Sequence, residues 1–467
     1  MELNKQNSPR LRVAFVPLNT TFIGLPRALL FNMLYRDNNN GEIILRVDDT
    51  DISRAQPDRL QVIFDCLHWL GIDWNEGPDI GGLYAPYIQS QRRNLYIDAT
   101  DRLLNNQRAY YCFCNQTDEE RGCYSNCKNL TNDDVVLRIS NNAHPCIRFN
   151  LLHRVETFSD IVHGTISKDM SDINDPVIVR QDGSPTFHLA TAVDEGELHI
   201  SHIVRGVDHI EAAFVQRQMM EALDVSLPQY MHFSVFVNDY GNIYNINHDE
   251  IYDLEYLREN GFLSGAIVNF LLSSGYSPKE CLDCTMYSYK DFVQNFSVDN
   301  FSKSNQQYDF AKLMATNRKW IRSIVESEFI REVIEYFDYI NYSSEAPIEL
   351  LIALRSHCDT LLDLKQKIEI LYDQSPQKME RFTKENIKQN ELLEVLLRNL
   401  KAVSVWTNEN VKNAILETCP DKKICYELIR KAIAGEEHFG SIAEIVTAMG
   451  YDVIISRIAS ILKATQS

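Results

Sequence analysis

Two regimes of hydrophobic patterning divide this chain of 467 residues. In the first, short apolar runs alternate with amphipathic ones. Residues 12–17, RVAFVP, read as a strand, and residues 26–36, PRALLFNMLYR, have helical apolar spacing, with Pro26 suited to the first turn, where its missing N–H costs nothing. Asn38-Asn39-Asn40-Gly41 closes that unit, and EIILRVDDTD supplies the next strand, running into an acidic loop. DRLQVIFDCLHWLG, residues 58–71, predicts a second amphipathic helix ended by Gly71. Strand, helix, strand, helix at this spacing predicts a parallel sheet covered by helices. Residues 147–207 return to short strands (CIRFN, PVIVR, HISHIVRG), and residues 211–224 form a helical run. The second regime begins near residue 251. From there the pattern is helical, in tracts at 251–273, 308–341, 347–373, 385–401, 409–434 and 441–464. The expectation is an α/β front half and an all-helical back half.

Composition narrows the class. Hydrophobic residues at 45%, charged at 24% and aromatics at 10% describe a globular chain, not a disordered or fibrous one. A net charge of −19 argues against indiscriminate nucleic-acid binding, which needs cations against phosphates, but leaves room for a local basic face. The opening MELNKQNSPRLRVAFVP lacks the apolar core of a signal peptide, and no apolar run is long enough to span a bilayer. A cytoplasmic protein without membrane attachment is expected.

The eleven cysteines change the picture, because four of them crowd together: Cys112, Cys114, Cys123 and Cys127. Thiolates are soft ligands, and four can close a tetrahedral zinc shell with no open position, which is a structural site. Gly122 is expected to permit the tight backbone that brings Cys123 and Cys127 onto one ion. The competing reading is a cluster of reduced thiols. Cys281 and Cys284 form a lone pair of thiols without a second pair, and His68 beside Trp69 reads as a packed or edge histidine.

Several stretches together resemble the bacterial glutamyl-tRNA synthetases, class I aminoacyl-tRNA ligases. They are Arg12-Val13-Ala14 with Pro17, Ile23-Gly24, Arg27 to Asn32, Ile44 to Asp51, His68 to Trp74, and Glu76-Gly77-Pro78. Gln89-Ser90, Tyr110 to Cys114, Asp182 to Ala190, Arg205 to His209, Gly261-Phe262-Leu263, Ala266 to Gly275, and finally Ala432 to Gly435 with Ile442 to Ile445 continue the resemblance in one order along nearly the whole chain. The resemblance implies a Rossmann-type α/β catalytic domain whose first half covers residues 1–110. An insertion for the acceptor end, with the start of the second half, would follow over 111–200, and the second half over 201–250. A stem-contact region over 251–330 and a helical anticodon-binding domain over 331–467 would complete it. It implies zinc at the four cysteines, a monomer, and a reaction in which glutamate and ATP, with Mg2+, form glutamyl-adenylate before the acyl group passes to tRNA(Glu). Charge develops on phosphates and a carbonyl in both steps, so catalysis rests on positioned donors and cations.

The chain departs from the family at its chemistry. Where the first ATP motif is close to His-Ile-Gly-His, this sequence has Phe22, Ile23, Gly24 and Leu25, which keep the glycine and lose both imidazoles. Where the second is close to Lys-Met-Ser-Lys-Ser, alignment back from Gly261 gives Tyr244, Asn245, Ile246, Asn247 and His248, with both lysines gone. His248 either stands in as a cation or is a solvated loop residue. In the amino-acid pocket Arg12 and Arg205 match arginines that pair with the substrate's side-chain carboxylate, while Val16 replaces a serine, Asp48 a glutamate, Phe187 a tyrosine and Thr191 an asparagine. Arg205 is alternatively a structural partner of Asp208. Losing one preorganised donor costs about 3–4 kcal/mol of barrier. The expectation is therefore a folded relative that keeps tRNA, with ligation weakened or lost; Lys128, Arg138, Arg318, Lys319 and Arg322 are candidate phosphate contacts, each alternatively an ordinary surface charge. The alternatives are an active, divergent ligase or an enzyme resembling the shortened tRNA-modifying relatives, which lack the C-terminal half present here.

Overall fold

The first apolar run folds as strand β1, Arg10–Phe15, and the run after it as helix α1, Gly24–Asn39. Asn40 ends α1 in a left-handed conformation, φ 50°, and donates its N–H to the Arg36 carbonyl. Gly41 then passes so close to Pro9 that a Cβ would stand 2.5 Å from the Pro9 carbonyl oxygen. Here the glycine is required by space. The computed structural model describes residues 8–51, 53–114, 122–123, 125–238, 240–243, 250–278, 286–372, 387–434 and 440–466.

Strand β2, Glu42–Val47, runs parallel to β1 in the register Arg10↔Glu42 to Phe15↔Val47. Ile43, Ile44, Leu45 and Val47 are all buried, the continuous apolar run expected of a strand covered on both faces. Helix α2, Leu60–Trp69, is followed by Gly71 at φ +73°, the left-handed C-terminal stop expected there. Then come α3 (Arg93–Asn105), β3 (Ala109–Cys112), α4 (Asn132–Ser140), β4 (Cys146–Phe149), β5 (Val155–Asp160), β6 (Gly164–Asp169), β7 (Val177–Val179), α5 (Phe187–Glu197), β8 (His202–Gly206), α6 (Ile210–Ala222) and β9 (Gln229–Phe233).

The main sheet has the order β2-β1-β8-β9-β5-β6. Every neighbouring pair from β2 to β5 is parallel, and β5–β6 is antiparallel. The parallel pairing of β1 with β2 is the one that the opening strand–helix–strand pattern predicts, and the β5–β6 hairpin is an antiparallel addition at the edge. Its cause is local: only residues 161–163 join β5 to β6, too short for a crossover, and Gly164 turns the chain at φ +74°. A separate antiparallel sheet, β3-β4-β7, carries the cysteine-rich segment.

The chain divides into two compact units, one of residues 1–255 with 268–309 and one of residues 256–267 with 310–467. The second is helical, from Phe310–Ser323 to Tyr451–Gln466, around a core that includes Leu263, Phe329, Leu393, Ile429 and Ile458. Residues 256–267 belong to it through hydrogen bonds: Leu263 N–H donates to Asn317 Oδ1 (2.8 Å) and Leu361 N–H to the Gly261 carbonyl (2.8 Å). Among the described residues no single helix is long and apolar enough to cross a membrane; Ile442–Met449 and Tyr451–Lys463 reach that measure only as a pair, bent by 106°.

Candidate functional site

In the first unit the chain leaves β1 for β2 on one side and later returns to β8 on the other, so β1 and β8 flank the point where strand order reverses. Ligands of open α/β sheets bind outside the carboxyl ends of such strands. Arg12 comes from β1, Arg46 from β2 and Arg205 from β8, and all three are buried.

Burying guanidinium groups is costly unless each finds hydrogen bonds or a counter-charge. Arg12 Nε donates to Glu195 Oε1 at 2.7 Å. Arg46 holds Asp48 in a fork, Nε to Oδ1 at 2.6 Å and Nη2 to Oδ2 at 3.0 Å, and lies 3.6 Å from Glu195. Arg92 Nε donates to Asp194 Oδ1 at 2.7 Å, and Gln89 and Tyr96 also donate to that carboxylate. Burial pushes Asp194 above the usual carboxylate range against the pull of Arg46 and Arg92.

Arg205 is different. Its Nη1 donates to Gln216 Oε1 (3.1 Å), its Nη2 to the His209 carbonyl (3.0 Å) and its Nε to His232 Nε2 (3.3 Å). Among the described residues it makes no ion pair; Asp208, the partner considered from sequence, lies instead 3.6 Å from His209. Burial, and secondly Arg12, lower the Arg205 pKa from 12.5 to about 10. Three carboxylates thus answer three of the four guanidiniums, and Arg205 is left as the positive charge of the pocket. Thr191 Oγ1, Glu195 Oε2, Gln216 Nε2 and Tyr230 OH are buried polar atoms without a hydrogen-bond partner among the described residues. Such orphans mark a place for ligand or water.

Of the expected pocket residues, Arg12, Asp48 and Arg205 take part in these hydrogen bonds. Thr191 and Glu195, one turn apart, share a face of α5. Phe187 stands at the exposed start of α5 with its ring 6.1 Å from His209. Asp48, expected as an ammonium anchor, has both oxygens engaged by Arg46. Arg46, Glu195, Gln216 and His232 were not singled out from sequence. The i, i+4 spacing of Thr191 and Glu195 was a usable signal; the others depend on pairing across strands.

At the other motif, α1 begins at Gly24 with no side-chain cap from Ile23. Ile23 N–H donates to the Tyr252 carbonyl (2.9 Å), Leu25 N–H to the Phe22 carbonyl (3.0 Å) and Arg27 N–H to the Ile23 carbonyl (3.2 Å), while Pro26 has no N–H. Among the described residues, Gly24 is the helix-start amide with no backbone partner. The Phe22 ring lies against Tyr252, 6.1 Å between centroids. Tyr244, Asn245, Ile246, Asn247 and His248 lie outside the described residues.

The four sulfurs of Cys112, Cys114, Cys123 and Cys127 all lie within 4.8 Å of one another. Cys114 Sγ is 3.8 Å from both Cys123 Sγ and Cys127 Sγ. Four sulfurs about 2.3 Å from a central zinc would be spaced by about 3.8 Å, so the residues fit that ion. Cys127 N–H points at Cys123 Sγ (3.3 Å) and Phe113 N–H at Cys127 Sγ (3.5 Å), donors that favour thiolates. Gly122 has no left-handed backbone and lies against the Asn174 side chain, whose oxygen would stand 2.4 Å from a Cβ. Of the candidate phosphate contacts, Arg318 is held by Asp359 in a fork at 2.5 and 2.6 Å, and Arg138 stacks over Phe113 at 5.3 Å.

Comparison with known proteins gives the family. Residues 10–315 match the family described as tRNA synthetases class I (E and Q), catalytic domain, and residues 311–462 match an anticodon binding domain. The glutamate–tRNA ligase of Sulfurihydrogenibium sp. (strain YO3AOP1) is 29% identical over 476 residues, covering 97% of this chain and 99% of that protein. Glutamate–tRNA ligase 2 of Caldicellulosiruptor saccharolyticus is 30% identical over 477 residues, covering 96% and 98%. Among solved structures, a glutamate tRNA ligase from Elizabethkingia meningosepticum in complex with its amino acid has the same fold, with a TM-score of 0.79 at 21% identity over 98% of this chain and 99% of that one.

Proposed function

Because this chain belongs to the class I tRNA synthetases for glutamate and glutamine, we propose that it is a glutamate–tRNA ligase homologue that binds tRNA(Glu) and glutamate and forms the adenylate weakly or not at all. The observation that carries this reading is the contrast between the two ends of its site. At the amino-acid end, Arg205 keeps a buried positive charge and makes no ion pair among the described residues. A ligand carboxylate would supply that partner, with Arg12 nearby. At the nucleotide end, Phe22 and Leu25 bring no donors and the start of α1 retains a single free amide. The second motif adds to this from its sequence alone, since Tyr244 to His248 carry no lysine.

A triphosphate brought there with Mg2+ would meet few fixed dipoles. Each missing preorganised donor is worth roughly 10²–10³ in rate, although such losses do not simply add. The amino acid would meet more: Arg205 to fix a carboxylate, with the buried Arg12 near it and the unpaired polar atoms of Gln216 and Tyr230 beside it. The helical unit, which matches the anticodon binding domain, supports retention of tRNA. The four cysteines are read as a structural zinc site that holds the insertion together.

The test is glutamate-dependent exchange of pyrophosphate into ATP, with and without tRNA, beside a tRNA-binding titration. The expected outcome is saturable tRNA binding with exchange near background. Robust exchange would instead establish the divergent ligase, the reading that the retained Arg12 and Arg205 favour.

A further inference from the structure

The carboxylate of Asp160 at the end of β5 is saturated with donors. Oδ1 accepts the N–H groups of Val162 (2.9 Å) and His163 (2.8 Å), and Oδ2 accepts the backbone N–H of His232 (3.0 Å) while lying 2.7 Å from His232 Nδ1. Despite burial, the His232 ring and the loop amides hold Asp160 below the usual carboxylate range. An ionised carboxylate only accepts, so Nδ1 must carry the proton. On the other side of the ring stands Arg205 Nε, which only donates, 3.3 Å from His232 Nε2. The two neighbours therefore leave His232 one state that satisfies both: neutral, Nδ1 protonated, Nε2 with a free lone pair.

The chain Asp160–His232–Arg205 crosses three adjacent strands, β5, β9 and β8. Asp160 and His232 are fully out of solvent on their side chains. Tyr230, two residues before His232 on β9, stacks parallel to its ring at 5.8 Å and 2° and lies under the Arg205 guanidinium at 5.7 Å. Together with Gln216 and the His209 carbonyl, His232 fixes the Arg205 plane at all three nitrogens and leaves one N–H on each Nη.

We propose that His232, held in its Nδ1-protonated form by Asp160, is a positioning residue that aims Arg205 at the carboxylate of the amino-acid ligand. The proposal rests on the reading that Arg205 receives that carboxylate. Without the Nε2 acceptor the buried Nε–H would be left unpaired, and the guanidinium would turn to seek another partner. The chemistry also sets a specificity: a fixed pair of donors rewards a carboxylate over the isosteric amide.

Two substitutions at His232 separate positioning from mere support. Asn in H232N places its amide N–H near the Nδ1 position and can keep the Asp160 bond, but has no atom at Nε2. Gln in H232Q reaches the Nε2 position with its carbonyl oxygen and restores an acceptor for Arg205, while giving up the Asp160 bond. Glutamate and glutamine binding would be measured by calorimetry on the full chain, with melting temperatures recorded for each variant. The expected result is that H232N loses about tenfold or more in glutamate affinity and much of its preference over glutamine, and that H232Q binds glutamate tighter than H232N. A structural role for the Asp160–His232 tie predicts the reverse order. H232N binding as tightly as H232Q, or tighter, overturns the proposal.

A second readout does not depend on binding. The ring ¹⁵N shifts of His232 should show a protonated Nδ1 and an unprotonated Nε2, and the opposite tautomer overturns the proposal. Arg205→Gln isolates the premise. If that variant and the unaltered protein bind glutamate equally, or neither binds it, the pocket reading has failed. If Arg205→Gln abolishes binding while H232N does not, only the role of His232 has failed.

Discussion

At the scale of single residues, the site is governed by how buried charges are answered. Arg12, Arg46 and Arg92 each face a carboxylate, and Arg205 faces neutral acceptors. A lysine could not reproduce the planar set of donors that Arg205 presents, so Arg205→Lys should lower glutamate affinity by about tenfold or more, as measured by calorimetry. His188 gives a pH prediction. Burial, with Arg205 as the second cause, lowers its pKa from 6.5 to about 4. Between those values the unfolded chain binds a proton that the folded chain does not. His188 therefore favours the fold above pH 6.5, and that contribution is lost as pH falls towards 4, by up to about 1.4 kcal/mol per unit. Denaturant midpoints across that window should fall with acid, and H188N should flatten the slope. An unchanged slope would assign the acid loss to other groups.

At the scale of elements, helix starts and strand ends decide what chemistry is available. α1 uses its first amides on Tyr252, Phe22 and Ile23, so its dipole has few donors to present to a phosphate. The segment after β3 has a small core in which Cys112, Cys114 and Cys127 pack with Cys146 and Val177; α4 buries no residue of its own, and a capping box of Thr131 and Asp134 supports its start. If zinc completes that core, purified protein never exposed to chelator should hold about one equivalent per chain. Stripping that metal should open residues 112–140 to limited proteolysis before the rest of the chain. Less than about half an equivalent would return the cluster to ordinary reduced thiols.

At the scale of the whole molecule, each unit has its own core. That of the first includes Ile44, Phe158, Leu189 and Met219, and that of the second Phe329, Leu393 and Ile429. Unfolding is expected to depart from two-state behaviour, with a transition for each unit. Leu393 is fully buried. Leu393→Ala should cost about 2–5 kcal/mol, and it should move the transition of the helical unit alone. A single shifted transition would show instead that the units unfold together.

The local pattern sufficed for the elements. RVAFVP, PRALLFNMLYR and EIILRV specify their strand or helix by apolar period, and Gly71 and Asn40 end their helices through backbone conformations that short-range sterics favour. The order of motifs likewise carried the family, because it is a property of the chain itself. Position in sequence could not reveal which charge answers which. Glu195 meets Arg12 across 183 residues, Asp194 meets Arg92 across 102 and Asp160 meets His232 across 72. Those pairings exist only once the sheet has ordered its strands. They determine that Asp48 serves Arg46, that Arg205 makes no ion pair among the described residues, and that an unremarked histidine stands behind it. Electrostatic roles in a buried site depend on distance and desolvation, and both are set by the tertiary fold.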